Sequence, residues 1–167
     1  IFFDELGIPK PDYHLGVGSG THGYQTGEMI KRIEDVLMEE KPDLILNFGD
    51  TNTTLVGAIA AAKLHIKTAH VEAGLRSYDK KMPEEINRVL VDHCSDLLFC
   101  PTKTAVSNLR IEGIVDEVYL TGDMMVDSLN YCINIAENKS RILDELGLRR
   151  KEYYLATVHR AENTDDP

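Results

Sequence analysis

Ionisable residues gather just after short apolar runs in this 167-residue sequence. DLILNFG runs into Asp50-Thr51-Asn52-Thr53-Thr54, KTAHVE ends on His70 and Glu72, EVYLTG is followed by Asp123, and YYLATVH ends on His159-Arg160. If those runs are parallel strands, their carboxyl ends form one rim, the place where open α/β sheets bind ligands. Carboxylates gathered at such a rim are candidates for general acid–base work.

Each signal also has a structural explanation. GDTNTT offers a tight turn and N-cap oxygens ahead of an apolar helix, so its free N–H groups suit either an ordinary cap or an anion. Asp50 sits awkwardly at an anion site, since its carboxylate repels phosphate unless it has a proton to carry. After Glu72 comes AGLRSYDKKMPEEINR, in which Pro83 fits a first helical position and Glu84 and Glu85 suit the positive end of the helix dipole. Glu84 and Arg88 are four apart, so they are expected on one face, and an exposed ion pair is the common outcome of that spacing.

Two other motifs lead nowhere. His70-Val71-Glu72 has the form of a zinc deaminase HxE, but Cys100-Pro101 reverses the required order and no CxxC follows, so no metal is expected. GVGSGTHG is rich in glycine without the GxGxxG spacing and reads as a turn. No cofactor is expected.

Positioning this rim needs alternating elements. From Asp43 onward, short branched apolar runs alternate with longer runs of helical period, the pattern of an α/β parallel sheet with crossover helices. Strands are expected at DYHLGV, DLILNFG, KTAHVE, LLFCPT, EVYLTG and YYLATVH. Helices are expected over Gln25 to Glu40, Thr53 to His65, Glu84 to Ser95, Lys103 to Glu112 and Met124 to Leu146. Gly147 and the basic run Arg149-Arg150-Lys151 mark a connection into a fresh strand, after which nothing returns to cover it; the chain reads as incomplete at that end.

Composition limits the partners. Twenty-eight acidic residues against 18 basic ones give a net charge of -10, which repels a phosphate backbone and argues against nucleic acid. No stretch approaches the roughly 20 apolar residues of a membrane span. Cys94, Cys100 and Cys132 are odd in number and lack CxxC spacing, so reduced thiols and a cytoplasmic location are expected. The sequence opens on Ile1 without a basic-then-apolar leader, which reads as a cut end.

Taken together, GDTNTT, HVEAGLRS, PEEINR, the PT closing LLFCPT, TGDMMVDSL and TVHRAEN follow the order seen in the non-hydrolysing UDP-N-acetylglucosamine 2-epimerases. The chain resembles that family over nearly its whole length, and HVEAGLR followed shortly by PEEINR is the most specific part. The resemblance implies one Rossmann-like half of a glycosyltransferase-B-type two-domain fold, truncated at both ends. Residues 1–126 would be most of the N-terminal domain without its first strand, 127–150 an interdomain helix and linker, and 151–167 the first strand of the second domain.

It further implies interconversion of UDP-N-acetylglucosamine and UDP-N-acetylmannosamine by loss of the C2 proton, elimination of UDP and re-addition. By the same resemblance Asp50, Glu72, Glu84 and His159 are catalytic, while Arg88, Arg76, Asn87 and Thr51 contact the substrate. His22 and Gln25 are candidates for a second, activating substrate site known in some bacterial members. A UDP-sugar and a second copy in a homodimer are the implied partners, and the isolated fragment is expected to be inactive. A hydrolysing relative, a modified-sugar 2-epimerase and a glycosyltransferase-B-type transferase are the alternatives.

Overall fold

The computed structural model describes Phe3, residues 7–158 and Asn163. The chain divides into two compact units, Ile1–Asp127 and Ser128–Pro167.

The first unit is built on a four-stranded sheet, β1 (Leu44–Phe48), β2 (Lys67–Val71), β3 (Leu97–Cys100) and β4 (Val118–Leu120). The strands lie in sequence order and every neighbouring pair is parallel. Asn47 stands level with His70, His70 with Leu98, and Leu98 with Val118, so all four strands point their carboxyl ends the same way. This is the Rossmann-like α/β architecture that the alternation of runs indicates.

Four helices serve the sheet, each stopped and started by local chemistry. Helix α1 (His22–Glu40) begins where Thr21 Oγ1 accepts from the Tyr24 N–H, three residues earlier than the apolar period suggests, and ends at Lys41 in the left-handed region. Helix α2 (Asn52–Lys63) is capped by Thr51, and its alanines let it sit close to the strands, with Ala58 and Ala61 fully buried. At Gly57 that approach is closest, since a Cβ there would come 2.4 Å from Asn47 Oδ1. Helix α3 (Pro83–Cys94) starts at a proline without a side-chain cap, and α4 (Lys103–Ile111) starts at Thr102, whose hydroxyl accepts from the Ala105 N–H.

The packing is one-sided within this unit. Ile45 packs with Leu37, Ala60 and Ala61, while Leu98 and Cys100 pack with Ala105 and Leu109, so these strand residues face the helices. Leu44, Leu46 and Phe48 alternate with them and are 40%, 46% and 51% exposed on the opposite face. Parallel sheets are ordinarily covered on both faces.

Two expected strands do not form. DYHLGV runs without a ladder partner and is held by side chains instead: the Tyr13 hydroxyl donates to Glu40, and Arg32 Nη1 donates to the Leu15 carbonyl at 2.5 Å. In the second unit residues 153–158 of YYLATVH are likewise not a strand, and no strand among the described residues of that unit offers them a pairing edge. The helix expected over Met124 to Leu146 is also interrupted. It is α5 (Met124–Lys139), then Ser140, whose hydroxyl accepts from the Ile142 N–H at 3.4 Å, then a short α6 (Ile142–Glu145).

Candidate active site

Gly49 and Asp50 turn the chain out of β1 into α2. Gly49 holds φ +69 and its N–H donates to the Val71 carbonyl at 3.1 Å, tying the turn to the end of β2. A Cβ at Gly49 would lie 3.9 Å from Glu72 Oε2, so the Glu72 carboxylate rests against this turn. Thr51 Oγ1 accepts from the Thr54 N–H at 3.4 Å, which is the N-cap that the composition of GDTNTT suggests.

Asp50 accepts from Arg88 Nη2 at 2.5 Å, and Arg88 Nη1 also lies 3.2 Å from Glu85 Oε2. Among the described residues Arg88 Nε is buried without a hydrogen-bond partner. Asn87 Nδ2 donates to the Asp50 carbonyl at 2.9 Å and to Asn52 Oδ1 at 3.1 Å, so α3 fixes both the backbone and the carboxylate of Asp50. On the outer side Asn52 Nδ2 reaches His22 Nδ1 at 3.2 Å and Gln25 Oε1 at 3.3 Å, which brings those two residues to the same rim.

Glu72 caps the end of β2 with φ +73, a left-handed conformation that costs a non-glycine residue about 1 kcal/mol or more. Burial raises its carboxyl above the ordinary glutamate range, and the charges of Asp123 and then Asp50 push it the same way, against a smaller pull from His70 and Arg88. Asp123 also accepts from the Met125 N–H at 2.8 Å and so starts α5. Asp50, Glu72 and Asp123 therefore come from three different strand ends to one rim. A carboxyl held up in proton affinity beside two others is poised to exchange a proton.

The loop behind Glu72 is pinned at nearly every residue. Ala73 N–H donates to the Phe99 carbonyl at 3.1 Å, Gly74 N–H to Asp92 Oδ2 at 3.0 Å, and the Gly74 carbonyl accepts from Asn108 Nδ2 at 2.8 Å. At Gly74, φ is +77 and a Cβ would meet the Ala105 carbonyl oxygen at 2.4 Å, so only glycine fits. Glu85 accepts from the N–H groups of Ser77 and Tyr78 and from the Ser77 hydroxyl, at 2.8 to 2.9 Å.

Several expected roles change against this geometry. Glu84 is exposed and makes no hydrogen bond or ion pair among the described residues, and Arg88 pairs with Asp50 and Glu85 rather than with Glu84. The i,i+4 spacing puts Glu84 and Arg88 on one face, but Arg88 turns inward to two better desolvated carboxylates. Arg76 is not available to a substrate: its side chain is 1% exposed, with Nε and Nη2 on Glu112 at 2.6 and 2.7 Å and Nη1 on Asp92 at 2.7 Å. Burial opposes that charge, yet the hydrogen bonds Arg76 donates to Glu112 and Asp92 outweigh it and hold the guanidinium firmly protonated. Asn87 is buried with its amide spent on the Asp50 turn. His159 lies outside the described residues. Among the described residues no cluster of His, Cys, Asp or Glu is arranged to hold a metal ion, and no helix is long and apolar enough to cross a membrane.

Fold and rim together define a Rossmann-like α/β unit with ionisable groups gathered at the carboxyl ends of its strands. Comparison with known proteins makes this specific. Residues 1–167 match the family described as UDP-N-acetylglucosamine 2-epimerase. A UDP-N-acetylglucosamine 2-epimerase homolog of Methanococcus maripaludis is 62% identical over 99% of this chain and 46% of its own length. A Pseudomonas aeruginosa protein named UDP-2,3-diacetamido-2,3-dideoxy-D-glucuronate 2-epimerase is 52% identical over all of this chain and 47% of its own. The crystal structure of Methanocaldococcus jannaschii UDP-GlcNAc 2-epimerase in complex with UDP-GlcNAc and UDP superposes with a TM-score of 0.91 at 51% identity, covering 99% of this chain and 46% of that one. The chain belongs to the UDP-N-acetylglucosamine 2-epimerase family, and it spans about half the length of the relatives it matches.

Proposed function

We propose that the full-length protein interconverts UDP-N-acetylglucosamine and UDP-N-acetylmannosamine. The observation that carries this reading is the convergence of Asp50, Glu72 and Asp123 from three strand ends, with Glu72 raised in proton affinity by burial and by its acidic neighbours.

In the proposed reaction a rim carboxylate takes the proton from C2. The C2–H electron pair forms a C1=C2 double bond as the C1–O bond breaks, and UDP leaves with the bonding pair. Re-addition of UDP to C1, with a proton delivered to the opposite face of C2, gives the epimer. C2–H is a weak acid, so the base must be positioned and the returning proton must come from a second group. Asp50, Glu72 and Glu84 are assigned to this acid–base work, with Glu84 exposed and unpaired and therefore free to meet a substrate. Arg88, whose Nε lacks a partner among the described residues, and His159 are assigned to the substrate or to the departing diphosphate. Thr51 stands at the mouth of the same turn as a further contact.

The same reading places the protein in the cytoplasm as a homodimer. Cys94, Cys100 and Cys132 are free thiols, and burial pushes the Cys100 thiol up to about 11. Ile86 and Leu90 on α3, with Tyr78 in the loop before it, leave apolar surface exposed for a second copy.

The deciding experiment incubates the full-length protein with UDP-N-acetylglucosamine in heavy water and follows the proton NMR spectrum. Deuterium at C2 together with a UDP-linked manno product, both lost in Glu84→Gln, is the expected result. A second substrate class is favoured by the 52% identity to the diacetamido-glucuronate 2-epimerase. C2 exchange only with a 3-acetamido uronate analogue would select that class, and absence of exchange with either would overturn the epimerase reading.

A further inference from the structure

His70 and Asp92 are the most deeply buried ionisable residues near the rim, at 0% and 1% exposure, and the proposed chemistry uses neither. His70 Nδ1 lies 2.6 Å from Asp92 Oδ1, and its Nε2 lies 2.8 Å from the Gly49 carbonyl oxygen. Carboxylate and carbonyl are both acceptors, so the two contacts are satisfied together when each ring nitrogen carries a hydrogen. Asp92 accepts from two further donors, the Gly74 N–H at 3.0 Å and Arg76 Nη1 at 2.7 Å, and Arg76 is itself braced on Glu112.

These contacts join the two backbones that matter. Gly49 immediately precedes Asp50, and His70 and Gly74 flank Glu72 by two residues on either side. One imidazole–carboxylate unit thus reaches the Asp50 turn through Nε2 and the Glu72 loop through Asp92. Burying such a unit is costly, and apolar side chains of similar volume would give equal or better stability. What an apolar pair would not give is a directional tie between two strand ends, each held in the left-handed region, at Gly49 and at Glu72.

We infer that His70, oriented by Asp92, is a positioning residue that donates from both ring nitrogens and thereby fixes the spacing of Asp50 and Glu72. The inference rests on the proposal that these two carboxylates act on the sugar. Misplacing a reacting group by about 1 Å costs up to roughly 100-fold in rate. The tie therefore governs turnover more than binding.

The test compares two variants of the full-length protein. Asparagine at 70 places its amide nitrogen where Nδ1 stands, keeping the Asp92 link and cutting the one to Gly49. Glutamine places its amide nitrogen near Nε2, keeping the Gly49 link. For His70→Asn and His70→Gln, each of which cuts one link, the expected result is a kcat lower by roughly 10- to 100-fold with KM within about threefold of wild type. A folded variant of either kind with unchanged kcat would overturn the inference. Should His70→Asn fail to fold, 15N NMR of the wild-type imidazole decides: hydrogen on both ring nitrogens supports the tie, hydrogen on only one sinks it. Absence of C2 deuterium in the wild type would instead overturn the reaction on which the inference rests, so the two failures are told apart.

Discussion

Asp50 and Arg88 meet at 2.5 Å across the gap between the end of β1 and the middle of α3, and Glu85 takes the other arm of the same guanidinium at 3.2 Å. Arg88 is thus the cation that allows two carboxylates to approach the rim. Replacing Arg88 with Met is expected to cost about 2 kcal/mol, below the full loss seen for dry pairs because Asp50 remains a third exposed. Denaturant unfolding of wild type and variant checks it. A loss under about 0.5 kcal/mol, the ordinary scatter of surface substitutions, would mean that the pair is solvent-screened and contributes little.

Glu84 and Glu85 are neighbours in the first turn of α3 with opposite surroundings. Glu85 is buried; burial disfavours its charge, but donors at Ser77 and Tyr78 and the nearby Arg88 lower its carboxyl below the ordinary range. Glu85→Gln should therefore cost about 2 kcal/mol by placing an N–H₂ group against these donors. Glu84→Gln should leave the melting temperature unchanged and abolish C2 exchange. The reverse pattern in calorimetry and NMR would exchange the roles assigned to the two residues.

Glu72 should be a residue that lowers stability in exchange for reactivity. Its folded carboxyl binds a proton more tightly than the unfolded one, so as pH rises from the ordinary glutamate range the unfolded state ionises first and folding loses stability until the raised value is passed. Glu72→Gln removes this loss. The expected outcome is an inactive variant whose Tm is above that of wild type at neutral pH and equal to it in acid. A Tm gap independent of pH would show that ionisation is not the cause.

Gly74 is held by space as much as by backbone angle, since a Cβ would meet the Ala105 carbonyl oxygen at 2.4 Å. Gly74→Ala should cost roughly 2 kcal/mol or more and lower kcat as the Glu72 loop lifts from α4. Urea unfolding at fixed pH measures the first and deuterium exchange at C2 the second. Gly113→Ala, with a left-handed φ of +84 and nothing within 4 Å, isolates the backbone contribution and should cost less.

The sheet was legible because its runs are apolar, short and bounded by turn residues, as in LILNF and KTAHV, and because the GDTNTT oxygens and Pro83 announce helix starts. DYHLGV and residues 153–158 carry the same local pattern, but a strand needs a hydrogen-bonded neighbour along its length, and no local pattern encodes which neighbour that is. The rim position of Asp50, Glu72 and Asp123 followed from parallel topology alone. The partners did not. Arg88 leaves Glu84 for Asp50, 38 residues away in sequence, and Arg76 turns into the Asp92–Glu112 pair because burial rewards the best-desolvated acceptor over the nearest in sequence. The network under Glu72 was hidden for the same reason, although an aspartate in the apolar run VLVDHC was a sign that something buried had to receive it.

Leu44, Leu46 and Phe48 make β1 adhesive on its outer face. Handled as an isolated polypeptide of these 167 residues, the chain would be a chaperone client before it was a folded domain, and its yield on refolding would fall as concentration rises. Light scattering against concentration would show it, and Leu46→Lys, placed at the centre of the stripe, would raise the concentration at which association begins.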